Sequence, residues 1–191
     1  MRHTLVAALA AAALALTAPV AAQPPAHPPA QPTFSSPALL TSAGQGADAA
    51  IVKLALNTQY QLGVEYKPVA GGADLAGKKT LILVVGTTPE ALAAAGVELA
   101  DELARVKALL AAAREAGVGI VAIHSGGLAR RDKASIQLVE LTVPLADYVI
   151  VVAAGNADRL FQKLAAPRGT PVVQVDRVTG VGGAVSAVYK R

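Results

Sequence analysis

The chain has 191 residues, no Cys and no Trp, and a formal net charge of +4 from 17 basic and 13 acidic side chains. The lack of Cys excludes disulfides, thiolate metal ligands, a catalytic thiol and a lipid-bearing cysteine. Its bases are dispersed and only four Tyr and two Phe accompany them, which supplies neither a basic stripe nor a stacking platform and argues against nucleic acid as a partner.

Residues 1–22 read as a secretory signal: Arg2 gives a charged start, Leu5 to Leu16 is an unbroken apolar run, and Val20-Ala21-Ala22 is a small-residue cleavage site before Gln23. That run is shorter than the roughly 20 residues a membrane span needs, and the later run Leu81 to Val85 is shorter still. The mature protein is therefore expected to be exported to the periplasm or beyond, with no membrane span after processing. The signal segment has a single Arg and no twin-Arg pair, which implies export in the unfolded state and disfavours a cofactor loaded beforehand. Gln23 to Pro37 holds six of the chain's 12 prolines and reads as a disordered, proline-rich tail. Residues 38–191 then form a single domain, large enough to bury a core without a staple.

Within that domain, apolar runs of strand length alternate with segments of helical period. Strands are expected at Ala38–Thr41, Leu62–Tyr66, Thr80–Val85, Val118–Ile123, Tyr148–Val152 and Pro171–Val175. Helices are expected at Ala47–Gln59, Glu98–Ala116, Asp132–Thr142 and Asp158–Ala165, with a helical turn near Ala73–Ala76 and a late helix within Arg177–Arg191. The helix at 98–116 is the clearest, since Leu99, Leu103, Val106 and Leu110 recur at the spacing of one buried stripe. Right-handed crossovers close this succession as a doubly wound, mainly parallel α/β sheet of five to six strands. That is a flavodoxin-like or Rossmann-like three-layer sandwich of order 2-1-3-4-5 with a sixth strand at one edge.

In such a sheet ligands sit beyond the carboxyl ends of the strands. That edge collects Ser42 to Gly46, Gly86 with Thr87 and Thr88, His124 to Arg131, and Gly155 to Asp158. The turn Gly44-Gln45-Gly46-Ala47-Asp48-Ala49 matches G-x-G-x-x-(G/A), and Glu65 lies near the position of a ribose-binding acid. In a chain this rich in Ala and Gly the match is cheap, and the turn reads as an ordinary strand-to-helix turn with no resident cofactor. With His3 in the signal and His27 in the tail, His124 is the domain's only imidazole, so a multi-His metal site cannot be built and no metal is expected. Arg130 and Arg131 precede the helix capped by Asp132, where the dipole disfavours cations. Their planar forks suit a carboxylate or phosphate, and Gly126 and Gly127 would let the backbone come close to it. Ser42, His124 and Asp132 or Asp158 are the residue types of a nucleophile, base and orienter, yet no G-x-S-x-G elbow surrounds Ser42 or Ser125. Asn156 and Asp158 read as helix caps or as ligand contacts.

The motifs T-S-A-G-Q at residues 41–45, H-S-G-G-L-A-R-R at 124–131 and G-N-A-D-R-L-F at 155–161, together with the signal, resemble a family of secreted bacterial α/β domains of unknown function. The resemblance covers about Pro37 to the C-terminus. It implies the compartment and the fold and draws attention to Ser42, Gln45, His124, Arg130, Arg131 and Asn156 as a set; it implies no activity. Three functions are compatible with these residues. The leading one is binding or sensing of a small anionic ligand by Ser42, Gln45, Thr87, Thr88, His124, Ser125, Gly126, Gly127, Arg130, Arg131 and Asn156. The second is a small hydrolase or transferase with His124 as general base near Ser42. The third is a protein-interaction module extended by the proline-rich tail.

Overall fold

The computed structural model describes residues 31–190; residues 1–22, read as a signal, and most of the proline-rich segment lie outside them. Two strands, β1 (Phe34–Ser35) and β2 (Ala38–Ala43), open the domain, and α1 (Asp48–Leu54) widens into a π-helical turn over Ala55–Gln59. Then follow β3 (Glu65–Tyr66), β4 (Thr80–Val85), α2 (Pro89–Ala95), α3 (Leu99–Glu115), β5 (Gly119–His124) and α4 (Lys133–Thr142). β6 (Tyr148–Val152), α5 (Leu160–Ala165), β7 (Val172–Val175), α6 (Val181–Ala187) and β8 (Tyr189–Lys190) complete it. Six strands form one wholly parallel sheet in the order β3-β2-β4-β5-β6-β7. This is the doubly wound arrangement of a three-layer α/β sandwich, and the strand order reverses between β2 and β4.

Because side chains alternate across a strand, each strand feeds two cores. On one face Leu39, Leu81, Leu83, Val85, Ile120, Ala122, Val149 and Val151 pack under α3, α4 and α5 through Val106, Leu109, Leu110, Leu138 and Phe161. On the other, Leu40, Ile82, Val84, Val121, Ile123 and Ile150 meet Val52 and Leu56 of the first helical segment and Val181 and Val185 of α6. The buried stripe of α3 is Glu102, Val106, Leu109, Leu110 and Ala113, with Leu103 only partly buried against it. It is thus rotated from the expected Leu99–Leu103–Val106–Leu110 line and carries a carboxylate.

Three other expectations shift. Phe34, in the segment read as tail, is buried: its strand pairs with β8 and its ring lies 6.1 Å from that of Tyr148. One aromatic in a proline-rich run is enough to anchor its end, since burying a ring removes a large apolar surface from water. The second strand pairs only at Glu65 and Tyr66, because the Leu62 N–H donates to Leu56 O (3.0 Å) and the Val64 N–H to Asn57 Oδ1 (2.8 Å). The helix α2 is additional. Thr88 caps it by accepting from the Ala91 N–H (3.1 Å), Pro89 opens it, and Gly96 ends it at φ +66°. Among the described residues no helix is long and apolar enough to cross a membrane.

Candidate functional site

The crevice at the reversal between β2 and β4 is where a doubly wound sheet ordinarily takes a ligand. Here the protein fills it. Gly44 sits at φ +116°, and a Cβ on it would come within 2.5 Å of Gly86 O; one on Gly46 would come within 2.9 Å of the same atom. Both glycines let this turn press against the loop after β4. The Gly44 N–H donates to Glu102 Oε1 (2.7 Å), and the Gln45 amide, on a residue at φ +59°, donates to both Glu102 oxygens (3.1 Å each). Arg105 closes the group: Nε reaches Glu102 Oε2 (2.8 Å), Nη2 reaches Glu102 Oε1 (2.7 Å) and Ser42 O (2.6 Å), and Nη1 reaches Ala70 O (2.7 Å). Burial alone would raise the Glu102 pKa. The Arg105 guanidinium, the Gly44 N–H and the Gln45 amide outweigh it and hold the carboxyl below its ordinary value.

An internal carboxylate therefore occupies the place a phosphate would take in a dinucleotide turn. Glu65 is also misplaced for a ribose, since it forms an ion pair with Lys78, ahead of β4 at the opposite end of the sheet. The residues present do not fit a dinucleotide.

The end of β5 is different. His124 is 2% exposed, on the face that holds Phe161, whose ring lies 5.3 Å away. Its Nδ1 is 2.9 Å from Val85 O. A carbonyl only accepts, so Nδ1 carries the proton and the neutral ring presents a lone pair at Nε2. That atom is buried and has no partner. Burial lowers the His124 pKa, and the nearby Arg131 charge lowers it further against the opposing effects of Val85 O and Asp48. Two loops cover the ring: a Cβ on Gly155 would lie 3.4 Å from Nε2, and one on Gly126 3.6 Å from it.

The arginines divide. Arg131 binds Asp158 with both arms (2.7 and 2.9 Å) and also donates to Gly155 O (3.1 Å), which ties the loop after β5 to the loop after β6. The hydrogen bonds from Arg131 pull the Asp158 pKa down to about 2. Arg130 is exposed and makes no ion pair among the described residues. The expectation of two equivalent anion donors thus becomes one free guanidinium and one that latches two loops.

Residues 35–189 match the family model described as Domain of unknown function (DUF6305). The chain belongs to that family. No curated protein and no solved structure matches it. The matched span runs from Ser35 of β1 to Tyr189 of β8, one residue short of Phe34.

The remaining candidates of this DUF6305 domain have mostly structural partners. Ser42 pairs in register with Val84, and Val84 with Ile123, which sets its side chain on the α1 and α6 face, opposite His124. Its buried hydroxyl has no partner. Ser125 donates to Asp48 Oδ2 (3.0 Å) in the first turn of α1. Neither serine is paired with the imidazole as a nucleophile would be. The Thr87 N–H and C=O are both bridged by the Ser135 hydroxyl (3.0 Å each), and the Thr88 hydroxyl is spent on its cap. The Asn156 side chain donates to Gln162 (2.7 Å) and Gln174 (3.0 Å) and accepts from the Phe161 N–H (3.2 Å), so it caps α5. A Cβ on Gly127 would meet only Ala154, at 3.6 Å. Among the described residues no three His, Cys, Asp or Glu side chains converge to hold a metal. Sequence reading missed Glu102 and Arg105. The signal was available, since Glu102 occupies a core position of the α3 stripe with a cation one turn later.

Proposed function

We propose that the domain binds a small anionic ligand at the ends of β5 and β6 and acts outside the cytoplasm, delivered there by the signal read at residues 1–22. One observation carries the reading: at an edge where Glu102, Thr88, Ser125 and Asn156 find internal partners, the buried acceptor Nε2 of His124 has none. Such an atom is costly unless something supplies its hydrogen bond. Arg130, exposed on the covering loop and packed against Gly126, is the donor that would meet the charge of the ligand. The separation of Ser42 from His124 by the sheet, and the engagement of Ser125 with Asp48, favour binding over acyl transfer.

The test is mass spectrometry of small molecules that copurify with natively exported protein, followed by thermal unfolding with those molecules and with phosphate and citrate. Arg130→Ala should weaken binding at least about tenfold, since a charge-assisted hydrogen bond is worth about 1.5–3 kcal/mol, and leave the unliganded melting temperature unchanged. No copurifying molecule and no stabilisation by any anion would end this reading.

A further inference from the structure

A second orphan lies under the same loops. Arg131 Nε is buried and has no partner, although both terminal nitrogens are hydrogen-bonded and its side chain is only 7% exposed. The two orphans are of opposite type: Nε of a guanidinium only donates, and Nε2 of this histidine tautomer only accepts. Gly155 adjoins both residues. Its Cβ position is 3.4 Å from His124 Nε2, and its carbonyl accepts from Arg131 Nη1 at 3.1 Å. A bare carboxylate or phosphate oxygen satisfies the arginine but repels the lone pair of the imidazole. A hydroxyl suits both, since it accepts with its oxygen and donates with its hydrogen.

We infer that His124 and Arg131 form a two-point site for a hydroxyl group of the ligand, and that the Arg131–Asp158 pair is the latch that closes the loops over it. This rests on the binding reading above and narrows it from an anion to a hydroxylated one. The latch is built to part. Asp158 is 53% exposed, so water screens the pair, and the segments it joins, Leu128–Arg130 and Ala153–Gly155, are single 3-10 turns with mostly exposed residues. Opening it would uncover Nε2 without unfolding the sheet, because the Nδ1 contact to Val85 belongs to the strands.

Diethyl pyrocarbonate reports this directly, since it acylates an unprotonated, accessible imidazole nitrogen, and peptide mass spectrometry assigns the label to His124. In the full mature chain near pH 7, His124 should be labelled at least roughly tenfold more slowly than N-acetylhistidine, because reaction waits for local opening. Asp158→Asn, nearly isosteric at an exposed position, should speed labelling by roughly tenfold through loss of a charge-assisted pair. In that variant glycolate should slow labelling and acetate, which lacks the hydroxyl, should not. Arg131→Lys should also speed labelling, but without the Nε–H it should lose the preference for glycolate. Labelling of Asp158→Asn at the wild-type rate removes the latch; equal protection by acetate and glycolate, or by neither, removes the hydroxyl site. Labelling without any anion present does not involve Arg130, so the anion reading fails separately, in the thermal-unfolding experiment.

Discussion

Between β2 and β4, both oxygens of Glu102 and all three nitrogens of Arg105 have partners; at the ends of β5 and β6, His124 Nε2 and Arg131 Nε have none. Both places lie at the carboxyl edge of one parallel sheet, and both are made from glycine turns, an arginine and a buried titratable group. They differ in whether the protein completes its own hydrogen bonds. The fold's usual ligand crevice is sealed by an internal anion, and the unsatisfied imidazole and guanidinium nitrogens lie two strands further along the edge. For a doubly wound domain, position relative to the strand reversal is therefore a weaker guide to the site than the inventory of unpaired buried atoms.

The largest effect should come from breaking the sealed crevice. Glu102→Ala leaves the largely buried Arg105 without its counter-ion and strips the acceptor from the Gly44 N–H and the Gln45 amide. Removing one partner of a buried pair costs about 3–5 kcal/mol, to be measured by chemical denaturation. A loss below about 1 kcal/mol, the range of exposed pairs, would mean that water already reaches this crevice and that the contrast with His124 is false.

A smaller effect separates Gly44 in the filled crevice from Gly127 in the loop after β5. Gly44→Ala forces a Cβ to within 2.5 Å of Gly86 O at φ +116°, and a strained backbone of this kind costs about 1–3 kcal/mol. At Gly127 the nearest neighbour of a Cβ is Ala154 at 3.6 Å, an ordinary contact. Gly127→Ala should therefore stay within about 0.5 kcal/mol, as surface substitutions do. Equal losses at the two positions in the same denaturation experiment would show that the Gly127 segment, contrary to this geometry, has no room for a side chain.

The fold was legible because strand-length apolar runs and helical stripes are local patterns. Thr80–Val85 and Tyr148–Val152 are read with their observed bounds. What was not legible depends on pairing across the sheet. Nothing local to Arg131 announces that Asp158, 27 residues on, takes its fork. Nothing local to Ser42 says that its face is opposite to that of His124, because this follows from the register of β2, β4 and β5. Residue type singled out His124, Arg130 and Arg131, while only geometry distinguishes a satisfied polar group such as Asn156 from an orphan such as His124 Nε2. Local signals also existed that alternation overrode: Thr88-Pro89 and Gly96 bracket α2, but a strand–helix–strand rhythm leaves room for one helix where the chain has two.

The smallest predicted effect is a pH dependence that only one of the two places should show near neutrality. Burial holds the His124 pKa below its ordinary 6.5 in the folded protein. On acidification the unfolded chain takes up this proton first, so stability is flat above about pH 6.5 and falls below it, by at most about 1.4 kcal/mol per pH unit for one group. Glu102 has the carboxylate pattern: its folded pKa lies below 4.5, so its contribution is intact above that value and is lost at more acid pH. Asp158 follows as the pH falls from 3.8 toward about 2. Denaturation midpoints between pH 7 and pH 5 should therefore decline in the wild type and stay level in His124→Gln, while Glu102→Ala keeps the wild-type slope. A wild-type protein that grows more stable between pH 7 and pH 5 would have a protonated His124 in the fold, with Nε2 donating to an acceptor. The imidazole would then be complete, and a ligand would have no lone pair at Nε2 to find.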